Sequence, residues 1–277
     1  MQDLSSATTM PPEAPPVDTA KLDALMEDAG LDAILATSPH NTRYLLGGYR
    51  FFFFATMQAI GHSRYLPAVL YVKGAPEKAA YIANPMENWQ AQLAPFWTPT
   101  LIAASWTSRA SAENALAQIK SAVPAGARIG VELPFLPADA HACLVAGLGS
   151  DRLGDATGVL ERLRAIKSQA ELDLLRKASE GIDTAMAATL AEAKPGMTKT
   201  DFAEQLRREE TGLGLEFDYC LITFGVETNR APSDRALEHG DVISVDSGGN
   251  FEGYIGDIAR MGILGEPDAE LEDILAE

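Results

Sequence analysis

Two aspartates, Asp246 and Asp257, have the residue type and spacing that most clearly suggest chemistry. Each lies in an apolar, strand-like segment, and a turn region rich in glycine and asparagine separates the two segments. A hairpin that closes in this region places both carboxylates on one face of the sheet, opposite or nearly opposite each other. Two adjacent carboxylates in an apolar segment are unfavourable unless a cation lies between them. Because carboxylate oxygens suit Mn, Mg, Co or Zn, the pair is a candidate metal site.

The same two aspartates also have a simpler interpretation. Aspartates in hairpins often cap turns or pair with basic side chains, and Arg260 follows Asp257 closely enough to be such a partner. Residue type and spacing alone leave both the metal site and the ion pair open.

Two helices and three strands must position these aspartates. A capping box, Ser168 with Glu171, predicts the start of a long helix that reaches about residue 193. A second predicted helix runs from Thr198 to about Glu209. Three strand-like segments follow, Tyr219–Phe224, Val242–Asp246 and Tyr254–Ile263.

The part of the chain that precedes these elements has a different pattern of apolar residues. Short apolar segments alternate there with helical patterns, which is typical of an α/β domain with a mixed sheet. The first residues are polar and rich in proline, which indicates disorder. The sequence therefore predicts a disordered tail at residues 1–17, an α/β domain at 18–157 and a second domain at 158–277.

Composition restricts the class of protein. The 277 residues include 39 acidic and 22 basic ones, for a net charge of −17, which argues against nucleic acid as a partner. The longest apolar run, residues 51–61, is too short to cross a bilayer. Cys143 and Cys220 have no metal-binding or redox spacing. We expect a cytoplasmic protein without a membrane or nucleic-acid partner.

Between Leu237 and Gly262 the chain carries three motifs in order: a Gly-Asp pair, an apolar strand ending in Asp-x-Gly, and Gly-Tyr-x-x-Asp-x-x-Arg. This arrangement resembles the pita-bread metallopeptidases, which include methionine aminopeptidase, aminopeptidase P, prolidase and creatinase. Further matches upstream extend the resemblance from about residue 20 to the end. The matching segments are Arg43–Gly48, Arg164–Leu172, Pro195–Thr198, Gly240–Asp241, Val242–Gly248 and Gly253–Arg260.

The resemblance implies an α/β N-terminal creatinase-type domain followed by the first half of an α+β pita-bread catalytic domain. It makes Asp246 and Asp257 the first two of five ligands for two divalent ions, Mn, Co or Zn, with Asp257 bridging both. A water held between the two ions would attack the scissile carbonyl. The family's other ligands, a histidine and two glutamates, lie well beyond the second aspartate. Since the chain ends at Glu277, we expect a truncated sequence that binds metal weakly or not at all.

The loop before the Gly-Asp pair departs from the peptidase pattern. Peptidases of the family usually place a histidine there, whereas residues 223–234 contain none. Residues 225–231 most resemble creatinase, which hydrolyses a small guanidino compound without metal but lacks the two aspartates. Asn229 or Arg230 could replace the histidine as a hydrogen-bond donor, Arg230 by holding a substrate carboxylate. Both residues are equally well explained as ordinary polar loop residues.

His62 is a further candidate for substrate binding. It lies near the phenylalanine run 51–54, in a region that in dimeric relatives can reach the neighbouring active site. A packed core segment is the alternative. No residue is assigned as catalytic.

These observations favour a metal-dependent hydrolase of the Xaa-Pro dipeptidase or aminopeptidase type, which acts on short peptides as a homodimer. One alternative is a creatinase-like hydrolase of a small C–N substrate. Another is a catalytically inactive half-site fragment.

Overall fold

A computed structural model describes residues 14–56 and 64–276. The chain divides into two compact units, Met1–Ile166 and Lys167–Glu277, called the first and the second unit below. Most of the predicted tail, residues 1–13, lies outside the described residues. Val17 is buried in the apolar core of the first unit, so packed chain begins before residue 18. No helix among the described residues is long and apolar enough to cross a membrane.

The described part of the first unit contains one six-stranded mixed sheet in the order β4-β3-β2-β1-β5-β6. The central strand β1 pairs antiparallel with β2 and parallel with β5, so the predicted mixed α/β domain is confirmed. The edge strands β4 and β6 were not predicted; unlike the fully buried central strands, both are only partly buried and carry a weaker apolar signal. The strands are β1 Ala33–Ala36, β2 Ala68–Val72, β3 Ala80–Ala83, β4 Thr100–Ala103, β5 Ile129–Val131 and β6 Leu153–Asp155.

Helices cover both faces of this sheet, which explains why its central strands are continuous apolar runs. In β1, Ile34 and Ala36 face one apolar cluster, and Ala33 and Leu35 face the other. The last helix packs against the first, so the compact unit extends to Ile166. The helices are α1 Thr19–Asp28, α2 Pro39–Leu45, α3 Phe53–Thr56, α4 Asn88–Leu93, α5 Ser108–Ala122, α6 Ala138–Leu148 and α7 Thr157–Ala165.

The second unit opens with two helices. The predicted capping box is confirmed: the Glu171 amide donates to Ser168 Oγ, and the Ser168 amide donates to a Glu171 carboxylate oxygen at 2.7 Å. An equivalent box with Thr198 begins the second helix. The elements of the unit are α8 Gln169–Ala191, α9 Lys199–Gly212, β7 Glu216–Phe224, β8 Val242–Phe251, β9 Tyr254–Ile263 and α10 Ala269–Ala276.

Strands β7, β8 and β9 form an antiparallel sheet in sequence order within the described residues. Helices α8 and α9 pack on the face that carries Ile243 and Val245. A side chain at Gly256 would lie 2.8 Å from the backbone of Ala178, so α8 approaches β9 closely. Because side chains alternate along a strand, Asp246 and Asp257 lie on the opposite face.

Candidate active site

The β8–β9 hairpin brings the two aspartates together as predicted. Asp246 pairs with Ala259, and Asp257 pairs with Gly248, so the aspartates are diagonal neighbours on one face. This arrangement makes both carboxylates available to a single bound ion.

Tyr219 of β7 joins the pair, a contribution that the sequence did not reveal. Its hydroxyl lies 2.6 Å from Asp257 Oδ1 and 3.4 Å from Asp246 Oδ1. A tyrosine hydroxyl has one hydrogen to donate, and the shorter distance assigns it to Asp257. Gly248 makes room for the ring, because a Cβ there would overlap it.

The hydrogen bond to Asp257, together with burial and the charge of Asp246, raises the pKa of Tyr219 well above its usual value. The hydroxyl therefore remains protonated at neutral pH and acts as a donor. Tyr219 consequently orients the Asp257 carboxylate.

Arg230 provides a positive charge at this site. Its guanidinium forms an ion pair with Asp246 Oδ2 at 2.7 Å, with side-chain exposures of 48% for Arg230 and 22% for Asp246. The suggested partnership of Arg260 with Asp257 is wrong. Arg260 pairs with Asp183 of α8 at 2.7 Å, because three residues along a strand separate it from Asp257 and place it on the helix-covered face.

A buried lysine holds the loop that carries Arg230. The Lys199 side chain is fully buried, and its ammonium forms an ion pair with Glu227 at 2.6 Å and donates to the Asn229 carbonyl at 2.5 Å. The Asn229 side chain accepts from the Ala231 amide at 3.1 Å, within its own loop. Thus Arg230 reaches the aspartates, whereas the Asn229 side chain supports the loop turn. His62 lies outside the described residues.

Behind the aspartates, a third carboxylate, that of Glu210, lies on the helix-covered face. Glu210 of α9 is fully buried, and its Oε1 lies 2.8 Å from Ser247 Oγ. Ser247 Oγ also lies 2.5 Å from the Tyr219 carbonyl. Burial raises the pKa of Glu210 to about 7. A protonated Glu210 can donate to Ser247, which then donates to Tyr219, so the network connects α9 to the strands of the site.

The donor chemistry of the aspartate pair fits a hard or borderline divalent cation. Asp246 and Asp257 present carboxylate oxygens on one face, which are the ligands such ions prefer. The described residues contain no group of three His, Cys, Asp or Glu side chains placed to hold a metal ion. The described site therefore offers two candidate ligands, against the five that the resemblance implies.

Family comparisons agree with this architecture. The creatinase/prolidase N-terminal domain matches residues 19–166, and metallopeptidase family M24 matches residues 173–276. The chain therefore belongs to the creatinase/prolidase family, with its N-terminal domain followed by an M24 domain. The resemblance drawn from the motifs is confirmed.

Individual relatives carry peptidase names. The probable dipeptidase PepE of Mycobacterium tuberculosis strain H37Rv is 28% identical over 257 residues, which are 90% of this chain and 63% of the relative. An uncharacterized peptidase of Bacillus subtilis, YqhT, is 28% identical over 153 residues, 53% of this chain and 43% of the relative. The chain thus spans less than two thirds of the length of these curated relatives.

Solved structures share the fold. The Xaa-Pro dipeptidase of Bacillus anthracis matches with a TM-score of 0.76 at 22% identity, over 93% of this chain and 67% of that one. The prolidase of Pyrococcus horikoshii OT3 matches with a TM-score of 0.71 at 20% identity, over 93% of this chain and 68% of that one. The predicted fold class, a creatinase-type domain followed by part of a pita-bread domain, is confirmed.

Proposed function

We propose that this chain carries part of the active site of a metal-dependent hydrolase of the Xaa-Pro dipeptidase or aminopeptidase type. Such an enzyme removes the N-terminal residue from a short peptide. The observation that carries the proposal is the placement of Asp246 and Asp257 as diagonal neighbours on one sheet face, next to one tyrosine hydroxyl. The relatives named as a probable dipeptidase and an Xaa-Pro dipeptidase support the same class.

In this proposal Asp246 and Asp257 are metal ligands, and the complete enzyme holds two divalent ions, Mn, Co or Zn. When bound, the metal ions supply an acidified water and polarise the scissile carbonyl. Tyr219 keeps the Asp257 carboxylate oriented through its 2.6 Å hydrogen bond. The incomplete set of ligands among the described residues is consistent with weak metal binding.

Arg230 is the proposed substrate-binding residue. Its guanidinium is half-exposed and lies at ion-pair distance from a proposed metal ligand. In a dipeptide the free carboxylate follows the cleaved bond by one residue, so a guanidinium beside the metal site suits this short substrate. Asn229 contributes by shaping the loop, and a substrate contact by His62 stays a prediction.

A creatinase-like reaction on a small C–N substrate is the second candidate. It is favoured by the loop itself, which offers the Arg230 guanidinium at the site and contains no histidine in residues 223–234. The third candidate is a half-site that binds a ligand or a partner without turnover, which is favoured by the presence of only two candidate metal ligands at the described site.

We further infer a cytoplasmic homodimer without a nucleic-acid or membrane partner. The net charge of −17 supports the absence of a nucleic-acid partner, because phosphate binding requires a basic face. Analytical ultracentrifugation tests the dimer: a monomer over the whole micromolar range would contradict it.

The proposed function is tested by Mn²⁺ titration calorimetry followed by assays at saturating metal. We expect weak Mn²⁺ binding that Asp246→Asn and Asp257→Asn each abolish, whereas Asp183→Asn, on helix α8 behind the sheet, leaves it unchanged. Hydrolysis of Ala-Pro but not creatine would support the dipeptidase, and the reverse would support the creatinase-like enzyme. Metal binding without either reaction would favour the half-site. Binding that survives both site substitutions would contradict the proposed metal ligands.

A further inference from the structure

We propose that Arg230 and a divalent cation compete for Asp246, so that metal loading releases the Arg230 guanidinium for the substrate carboxylate. This inference rests on the proposed function, because it requires Asp246 to be a metal ligand. It adds a coupling between metal binding and substrate binding through one side chain of this loop.

The first observation that supports the competition is that both carboxylate oxygens of Asp246 already contact a side chain. Oδ2 receives the Arg230 guanidinium at 2.7 Å, and Oδ1 lies 3.4 Å from the Tyr219 hydroxyl. Of these two contacts the Tyr219 contact is weak, since it is longer than a normal hydrogen bond between oxygens. A divalent cation that coordinates Asp246 at either oxygen lies close to the Arg230 guanidinium on Oδ2, and like charges at such short range repel each other, so cation binding favours the departure of Arg230.

The second support is the fixed backbone on both sides of Arg230. The Asn229 carbonyl accepts from the buried Lys199 ammonium, and the Arg230 carbonyl accepts from the Ile222 amide at 2.7 Å. Further along, the Thr200 amide donates to the Ser233 carbonyl. With its backbone held at these points, the loop remains in place while the long Arg230 side chain changes rotamer.

The third support is the difference in exposure between the two partners. Asp246 is mostly buried at 22% exposure, whereas Arg230 is 48% exposed and reaches solvent. Displacement therefore moves the guanidinium into water, which solvates it well, and leaves the carboxylate to the cation. Because the pair is only partly buried, its loss has a modest cost that a divalent ion can offset.

A different role for Arg230 predicts the opposite sign. If Arg230 instead held Asp246 in the geometry that a metal requires, removing the guanidinium would weaken metal binding. If Arg230 competes, removing it strengthens metal binding, by up to about fivefold for a partly exposed pair. The direction of the change thus distinguishes competition from positioning.

The experiment is Mn²⁺ titration calorimetry on the full chain, comparing the unmodified protein with Arg230→Met and Arg260→Met. Arg260 lies on the opposite face of the same hairpin, so its substitution controls for the general loss of one positive charge. Asp246→Asn, which removes a proposed metal ligand, shows whether the measured Mn²⁺ binding occurs at this site. We expect tighter Mn²⁺ binding for Arg230→Met and little change for Arg260→Met.

A second measurement uses the unmodified protein and so does not depend on how a variant folds. A dicarbonyl reagent such as phenylglyoxal modifies free guanidinium groups, and peptide mass spectrometry reports the rate at each arginine. We expect Mn²⁺ to accelerate modification of Arg230 and to leave Arg260 unchanged.

Tighter Mn²⁺ binding by Arg230→Met together with faster modification of Arg230 supports the competition. Unchanged or weaker binding by Arg230→Met, with Asp246→Asn abolishing it, overturns the competition but leaves the metal site intact. No difference between the unmodified protein, Arg230→Met and Asp246→Asn overturns both the metal site and the competition.

Discussion

Glu210 makes the stability of the second unit depend on pH. Burial raises the pKa of this carboxyl from 4.5 to about 7 in the folded chain, whereas the unfolded chain has the ordinary value. Between these values the folded state binds the extra proton, so the free energy of unfolding decreases as the pH rises. The stabilisation is complete below pH 4.5 and is lost as the pH rises through about 7. A shift of this size corresponds to about 3 kcal/mol.

The test substitution is Glu210→Gln, which resembles the protonated acid at every pH. We expect the variant and the unmodified protein to have similar stability near pH 5. Near pH 8 the variant should be more stable, by an amount approaching about 3 kcal/mol. Glu209→Gln, on the same helix, is the matched control and should leave the pH dependence unchanged.

Urea unfolding followed by far-UV circular dichroism, with hydrogen exchange of α9 and β8 peptides, measures this effect in the second unit. The three tryptophans, Trp89, Trp97 and Trp106, all lie in the first unit, so their fluorescence provides an internal control. Equal pH dependence in Glu210→Gln and the unmodified protein would refute the assignment of the proton to Glu210.

Three further predictions concern packing and surface. Gly256→Ala should destabilise the second unit by about 1–3 kcal/mol in urea unfolding, because the added Cβ meets the α8 backbone at 2.8 Å. Gly212→Ala is the control and should not destabilise the unit, because a Cβ at Gly212 has open space around it. Lys199→Met should cost about 2 kcal/mol and accelerate proteolysis of the 225–236 loop, since it removes the buried ammonium and leaves Glu227 and the Asn229 carbonyl without their partner; equal cleavage rates would contradict this anchoring. Ile255 and Met261 are 52% and 65% exposed on the aspartate-bearing face, so we expect the chain to self-associate. Met261→Glu should reduce this association in ultracentrifugation. A monomer that binds no hydrophobic dye would contradict the prediction.

The amino-acid sequence predicted the local elements well where a local signal exists. The capping box of Ser168 and Glu171 starts α8 at Gln169, and the hairpin pattern gives β8 and β9. Strand alternation also predicted that Asp246 and Asp257 share a face, because that property depends only on closing the turn between them. The same local signal missed β4 and β6, the two edge strands, which pairing with β3 and β5 defines.

The partners of the aspartates were decided by tertiary structure. Tyr219 reaches the pair because of the β7–β8 register, which contains an irregularity between Phe217 and Tyr219 that no sequence pattern revealed. Arg230 reaches Asp246 from a loop sixteen residues away, whereas Arg260, close in sequence to Asp257, faces the helices.

Sequence alone determined the family, the class of fold and the two candidate ligands, because motif order and strand periodicity are local properties of the chain. The three-dimensional arrangement alone decided which charges face those ligands. It brought the buried ammonium of Lys199 under the Arg230 loop and buried Glu210 behind the sheet. Such contacts join segments far apart in the chain, and their energies depend on burial, which only the folded structure sets.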